Sequence, residues 1–390
     1  MIPVSEARAH LLALVSQLET EEVPLDQAAG RVLARNVQAR RDQPPFSASA
    51  MDGYAVNAAE VELHAMFKVI GEAAAGHAFA GRVGAGQAVR IFTGAPVPEG
   101  ASFVVIQEDV TRNGNLITIT DAPGSNHNIR PRGGDFTDGQ TISAPRLLTP
   151  ADIALLAAMN VPSVTVTRHP EVALISTGDE LVMPGGTPGP DQIIASNTFG
   201  LKAMLEALGA RARILPIARD TESSLRTAFE LAEGADLVVT IGGASVGDHD
   251  LVGKVAQDLG MERSFYKVAM RPGKPLMAGR MGSAAMVGLP GNPVSAMVCG
   301  HVFLAPMIRA MLGLPPEAQQ LLDATLAKPL GKNGPREHYM RARVENGQLT
   351  AFENQDSSLL TILAEANALL LRAPGDSACA AGETVQYLAI

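Results

Sequence analysis

The stretch from Asp236 to Asp250, DLVVTIGGASVGDHD, decides the fold. Leu237 to Ile241 is a short apolar run rich in β-branched residues and bounded by Gly242-Gly243, the signature of a buried strand. Helical spacing returns near Val252. The same order recurs on both sides. Upstream, EVALIS (171–176) runs into Thr177-Gly178-Asp179-Glu180, with a helix from about Thr198 to Leu208, the strand-like RILPI (213–217) and a helix through LRTAFELAE (225–233) following. Downstream, strands are predicted near Tyr266–Ala269 and Ala284–Gly288. The second leads through Leu289-Pro290-Gly291-Asn292 into a long helix that Pro293 can start and Gly313 can end. Alternation of strand and helix predicts a doubly wound, mostly parallel sheet over residues 169–315, with helices on both faces.

Outward from this segment the pattern changes. Ala7, Leu11, Leu14, Val15 and Leu18 sit at helical spacing behind Ser5 as a possible cap, Leu25–Ala34 reads as a second short helix, and Thr149–Met159 as a third. Residues 1–43 and 143–168 are therefore expected to form a helical linker unit. Residues 44–142 show short β-branched runs broken by glycine, with a hairpin at Asn113-Gly114, and residues 316–390 turn YMRARVE into LTAF at Asn346-Gly347. The expectation is a multidomain α/β plus β chain: the parallel α/β domain, the linker unit and two β domains.

With 390 residues, 46% of them hydrophobic, the chain can bury more than one core. Its formal charge is −9 and its pI about 5.4, which argues against nucleic acid or an anionic membrane as a partner. Any anionic ligand must be held by local groups. The start, MIPVSEARAH, lacks the basic and apolar regions of a secretory leader, and no window reads as a membrane span, so a cytoplasmic location is expected. Cys299 and Cys379 fit no metal spacing and read as buried small residues.

In an open parallel sheet, ligands bind beyond the carboxyl ends of the strands, where loops and helix N-termini expose backbone N–H groups. Three loops have that position: Ser176 to Glu180, Gly242 to Asp248 (including Ser245 and Gly247), and Leu289 to Pro293. They should face one crevice suited to phosphate. Lys267, Arg271 and Lys274 surround a Pro-Gly turn where they could clamp an oxyanion, and Arg130 with Arg132 is a second cluster. Among the carboxylates, Glu180, Asp220 and Asp250 are the best candidates for Mg²⁺, which takes one or two carboxylates and completes its shell with water and phosphate. Asp179 and Asp248 are more ordinary turn or cap residues. A rival reading takes Gly243-Ala244-Ser245-Val246-Gly247 as a nucleophile elbow, with Ser245 attacking and His301 or His338 as base; the chain has no HGGG oxyanion segment.

Taken together, Pro44-Pro45-Phe46, SAMDGYA (49–55), TGAP (93–96), STGDEL (176–181), GGASVG (242–247) and LPGNP (289–293) resemble the molybdopterin molybdenumtransferase family, which includes MoeA and the gephyrin E domain. The match spans nearly the whole chain. The resemblance implies an elongated homodimer that inserts molybdate into adenylyl-molybdopterin and releases AMP, with Mg²⁺ as helper. It implies Asp52 and Thr93 from the first β domain, and Glu180, Asp220, Asp250 and Lys274 from the α/β domain, joined across the dimer. Arg271 would neutralise phosphate or molybdate, Arg130 and Asp135 would shape the rim, and Ser357 would close the site from the last domain. A molybdopterin adenylyltransferase and cofactor-accepting enzymes are the partners such a role implies, and a scaffold without turnover is the alternative within the same fold. The chain departs from the family in having Arg132-Gly133-Gly134-Asp135 for the usual Arg-Gly-Glu-Asp, and Arg271 for the first lysine of Lys-Pro-Gly-Lys.

Overall fold

The computed structural model describes residues 1–243, 251–316 and 321–390. Within it are two compact units, one of Met1–Glu21, Gly30–Ala34 and Val166–Ile390, the other of Glu22–Ala29 and Arg35–Thr165.

The first unit is built on β1 (Glu171–Ser176), α1 (Asn197–Ala207), β2 (Arg211–Ile214), α2 (Glu222–Leu231), β3 (Leu237–Ile241), α3 (Leu251–Asp258), β4 (Glu262–Tyr266), β5 (Met277–Met281), β6 (Ala284–Leu289) and α4 (Pro293–Met311). The sheet order is β2-β1-β3-β6-β5-β4, parallel across the first four strands. β5 runs antiparallel to both its neighbours, β6 and β4. Val172 and Leu174 pack into one core layer while Ala173 and Ile175 pack into the other. Burial on both faces explains why the strands read as unbroken apolar runs rather than alternating ones. Because β2 lies on one side of β1 and β3 on the other, the chain reverses its winding between β1 and β3, and the crevice of such a sheet opens at that switch point.

In the same unit, Glu337–Glu345, Gln348–Ala351, Leu322–Leu326, Thr384–Ala389 and Ala368–Arg372 close into a five-stranded ring, because the first of these strands also pairs with the last. Asn346-Gly347 makes the tight turn between Glu345 and Gln348. The short strand Met270–Arg271 adds to this ring in parallel, opposite Glu337 and His338.

The second unit holds a six-stranded sheet in the order Phe103–Ile106, Gly53–Val56, Gln87–Ile91, Met66–Ala73, Leu116–Ile119, Val110–Asn113. The last two form the expected hairpin. Thr149 caps the helix Pro150–Ala158 with a capping box closed by Asp152.

Several expectations are corrected. The first helix is Val4–Leu12, with Ser5 inside it rather than capping it. Leu25–Ala34 is not a helix: only Leu25–Gln27 makes a 3₁₀ turn, the chain turns at Gly30, and Val32–Leu33 is drawn into strand pairing. The antiparallel strand β5 escaped a reading by runs, since Gly279 and Arg280 interrupt its apolar residues. Pro293–Met311 is in fact apolar and long enough to cross a bilayer, but 78% of that window is buried inside the protein, as a core helix. Cys299 is buried, whereas Cys379 is only half-buried.

Candidate active site

The ends of β1, β3 and β6 open on one cleft of about 630 Å³. Ser176, Thr177 and Glu180 line it from the first loop, Gly242 and Gly243 from the second, and Pro290, Gly291 and Asn292 from the third. Ala244 to Asp250, and with them Ser245, Gly247, Asp248 and Asp250, lie outside the described residues.

Steric fit fixes how the loops meet. Gly242 has φ +97°, and a Cβ there would fall 2.6 Å from the Thr177 carbonyl oxygen, so only glycine suits the position. Gly291 comes so close to this loop that a Cβ on it would lie 3.5 Å from the Gly242 Cα. Two loops thus approach backbone to backbone, leaving peptide groups rather than side chains at the cleft floor. Thr177 is 2% exposed, and its hydroxyl has no partner among the described residues. The N-terminus of α1 lies alongside through Ser196 and Asn197, and the Asn197 amide donates to the Gly291 carbonyl at 2.7 Å.

Glu180 is the one charged side chain among the described lining residues. Its carboxylate folds back over Gly178, where a Cβ would meet Oε2 at 2.3 Å. Asp220 belongs to the same acidic corner, since its N–H faces Asp179 Oδ1 at 3.4 Å. Partial desolvation, then the negative charges of Asp179 and Glu180, push the Asp220 carboxyl above its ordinary range. Arg219 donates to the Asp179 carbonyl at 2.9 Å. Among the described residues, no group of three or more His, Cys, Asp or Glu is arranged to hold a metal ion.

The C-terminal ring reaches the cleft through one loop. Asn292 Nδ2 donates to Ser357 Oγ at 3.1 Å, and Val294 N–H donates to the Ser357 carbonyl at 3.1 Å. Ser358 lines the cleft, and its N–H and hydroxyl both donate to Asp356 Oδ1. Pro275 also lines the cleft, but Arg271 and Lys274, both exposed, are not among its lining residues. Lys267 instead sits over the Tyr266 ring.

In the second unit, residues from four separated motifs converge. The Thr93 N–H and hydroxyl both donate to Asp52 Oδ1 at 2.8 Å. These bonds, the backbone one first, hold the Asp52 carboxyl below the usual range, with the Arg90 charge adding to them. Arg130 stands opposite Ala48 in a two-stranded pairing, Gly94 N–H donates to the Ser49 carbonyl, and Asp135 N–H donates to the Gln43 carbonyl. Arg130 and Asp135 are exposed, and Arg132 pairs with Asp42.

Ile193, Ile194, Asn197, Pro275 and Ser358 were missed as lining residues. Asn197 could have been found as a cap-type residue at a helix start, and Ser358 as the neighbour of Ser357; for Ile193 and Ile194, exposed apolar residues, sequence carried no cue. For the hydrolase reading, His301 lies inside α4 and burial lowers it to about 4; burial and the surrounding arginines, Arg271 among them, bring His338 to about 4 as well. A general base works best near the operating pH, so neither suits that part.

Fold and cleft define a multidomain α/β protein with a ligand crevice at the switch point of its parallel sheet. Residues 2–160 match the MoeA N-terminal region (domain I and II), residues 173–310 a probable molybdopterin binding domain, and residues 323–390 the MoeA C-terminal region (domain IV). The chain is 34% identical over 396 residues to a molybdopterin molybdenumtransferase of Haemophilus influenzae, covering 99% of this chain and 98% of the relative. It is 36% identical over 368 residues to molybdopterin molybdenumtransferase 2 of Mycobacterium tuberculosis, covering 89% of each. The molybdopterin biosynthesis MoeA protein of Pyrococcus horikoshii OT3 superposes with a TM-score of 0.85 at 27% identity, with all of both chains covered. The chain belongs to the molybdopterin molybdenumtransferase family.

Proposed function

We propose that this protein inserts molybdate into adenylyl-molybdopterin, releasing AMP and the molybdenum cofactor. The observation that carries the reading is the convergence of the β1, β3 and β6 loops, with Ser358 from the C-terminal ring, on one glycine-floored cleft. Such a floor lets a diphosphate approach the backbone without steric obstruction; the Thr177, Gly178 and Gly242 N–H groups, already donated to the Ile241, Ala218 and Leu289 carbonyls, fix its shape. Thr177, Gly178, Gly242, Gly243, Pro290, Gly291 and Asn292 would cradle it, with Ser245 and Gly247 completing the second loop. Arg271 and Lys274 would offset the charge of diphosphate and molybdate, and Ser357, hydrogen-bonded to Asn292, would help close the third loop. Thr93, whose hydroxyl donates to Asp52, would turn that hydroxyl to the molybdate, with Arg130 and Asp135 at the rim of that second polar cluster.

The acidic corner suits Mg²⁺. Glu180 and Asp220 supply two hard oxygen donors, Asp250 would add a third, and a cation would offset the burial, and after it the neighbouring negative charges, that raise Asp220. When bound, Mg²⁺ would withdraw charge from the diphosphate as AMP leaves. We further place the protein in the cytoplasm as a homodimer, receiving substrate from a molybdopterin adenylyltransferase and passing product to cofactor-accepting enzymes.

The test is AMP release by purified protein given adenylyl-molybdopterin. Release is expected only with molybdate present, and Asp250→Ala and Asp220→Ala should each slow it at least tenfold, ~1.4 kcal/mol in the barrier. Release that ignores molybdate refutes the reading, and tight binding without release points to a scaffold. Light scattering checks the dimer.

A further inference from the structure

The turn Arg271-Pro272-Gly273-Lys274 is fastened less to the parallel sheet than to the C-terminal ring. Three consecutive residues of the ring tie it, beside Ile2, which exchanges backbone hydrogen bonds with Lys267 and Ala269 at the neck. Glu337 N–H donates to the Ala269 carbonyl at 3.0 Å, Arg336 Nη1 donates to the Met270 carbonyl at 3.3 Å, and Met270 and Arg271 stand in parallel register with Glu337 and His338. On its inner side the turn rests on α4, since a Cβ on Gly273 would lie 2.5 Å from Cys299 Sγ. Val268 N–H to the Lys274 carbonyl and Lys267 N–H to the Leu276 carbonyl close its neck.

Arg336 is itself anchored from the ring. Asn333 Nδ2 lies within hydrogen-bond distance of the carbonyls of Arg336, Arg372 and Ala373, at 3.1, 3.1 and 2.7 Å. Arg372, 3% exposed, donates in turn to the Gly331 and Ser377 carbonyls. The backbone of Arg336 is thus fixed by its own domain, and its guanidinium is the side chain that crosses to the turn. A guanidinium holding a peptide carbonyl is a charge-assisted hydrogen bond, stronger than a neutral one.

We propose that Arg336 is a positioning residue for the oxyanion-binding turn, holding Arg271 and Lys274 at the height molybdate or diphosphate requires. This rests on the function proposed above. The ring then supports two edges of the cleft at once, through Ser357 on the Asn292 loop and Arg336 on the cationic turn.

The experiment compares wild type, Arg336→Ala and Arg336→Lys in molybdate-dependent AMP release, with hydrogen exchange of the peptide spanning residues 267–276. For Arg336→Ala the expected result is a molybdate KM raised about fivefold, ~1 kcal/mol, with kcat changed less than twofold, an unchanged melting temperature and faster exchange in that peptide. Arg336→Lys, which still donates to the carbonyl, should recover much of the KM. An unchanged KM overturns the proposal, as does a raised KM with unchanged exchange, which would mean Arg336 meets the anion directly, or a loss that tracks a lowered melting temperature. A wild type without molybdate-dependent release would sink the function itself, a separate failure.

Discussion

A methyl group on Gly242 would meet the Thr177 carbonyl oxygen at 2.6 Å while the backbone held φ at +97°. Both penalties act together, so Gly242→Ala is expected to destabilise the fold by ~2 kcal/mol or more, read by denaturant unfolding, and to weaken AMP binding because the loop must move. An unchanged midpoint would show that the loop relaxes freely. Asp220 gives a pH-dependent counterpart. Its folded pKa is raised above the ordinary 3.8, so what its protonated form contributes to stability is complete below that value and lost as pH rises through the higher folded value. At neutral pH the ionised carboxylate opposes folding. Asp220→Asn should therefore raise the melting temperature at pH 7, the gain should shrink towards zero as pH falls below 3.8, and AMP release should drop across the whole range. A stabilised and inactive variant is the mark of a group kept for chemistry; a destabilised one would make Asp220 structural. Asp52 has the opposite sign: bonded by Thr93, its depressed carboxyl favours folding above its unfolded pKa, and that contribution disappears as pH falls through the folded value.

Elements show which parts of the chain were legible. Leu237–Ile241 could be read because its glycine boundary and uninterrupted burial coincide, and Pro150–Ala158 because Thr149 and Asp152 satisfy each other's orphan groups in the capping box. Thr149→Ala should accordingly lower stability by about 1 kcal/mol, measured in urea, without changing the molybdate KM. Leu25–Ala34 misled because its local propensity favours a helix, whereas strand pairing at Val32–Leu33 satisfies that backbone instead. Ser176–Glu180, Gly242-Gly243 and Leu289–Pro293 could be read as following strand ends, since topology alone brings them there. What sequence could not reveal was that the cationic turn is carried as an added strand of another domain, or that Asp52 and Thr93, 41 residues apart, share a hydrogen bond. Both depend on long-range register, which leaves no periodic mark in the chain.

At the scale of the molecule, the unit that carries the cleft is interrupted by the other at places that make it separable. Leu33 and Val166 stand opposite each other in antiparallel register, and the segment between Ala34 and Val166 belongs to the second unit. Opposed residues of such a pair lie only about 5 Å apart, a gap that a two-residue turn can bridge. Replacing residues 34–165 with Asn-Gly should therefore leave a chain that folds around the same two core layers, because those layers draw their residues from the first unit alone. It keeps Glu180, Asp220, Gly242, Gly291 and Ser357, so AMP should bind within about threefold of the intact chain, ~0.7 kcal/mol, by calorimetry. It loses Asp52, Thr93, Arg130 and Asp135, so molybdate-dependent release should vanish. If release survived, those four residues would have no part in the reaction. If the shortened chain unfolded, the interrupting unit would be a structural requirement of the cleft and not only a contributor of polar groups.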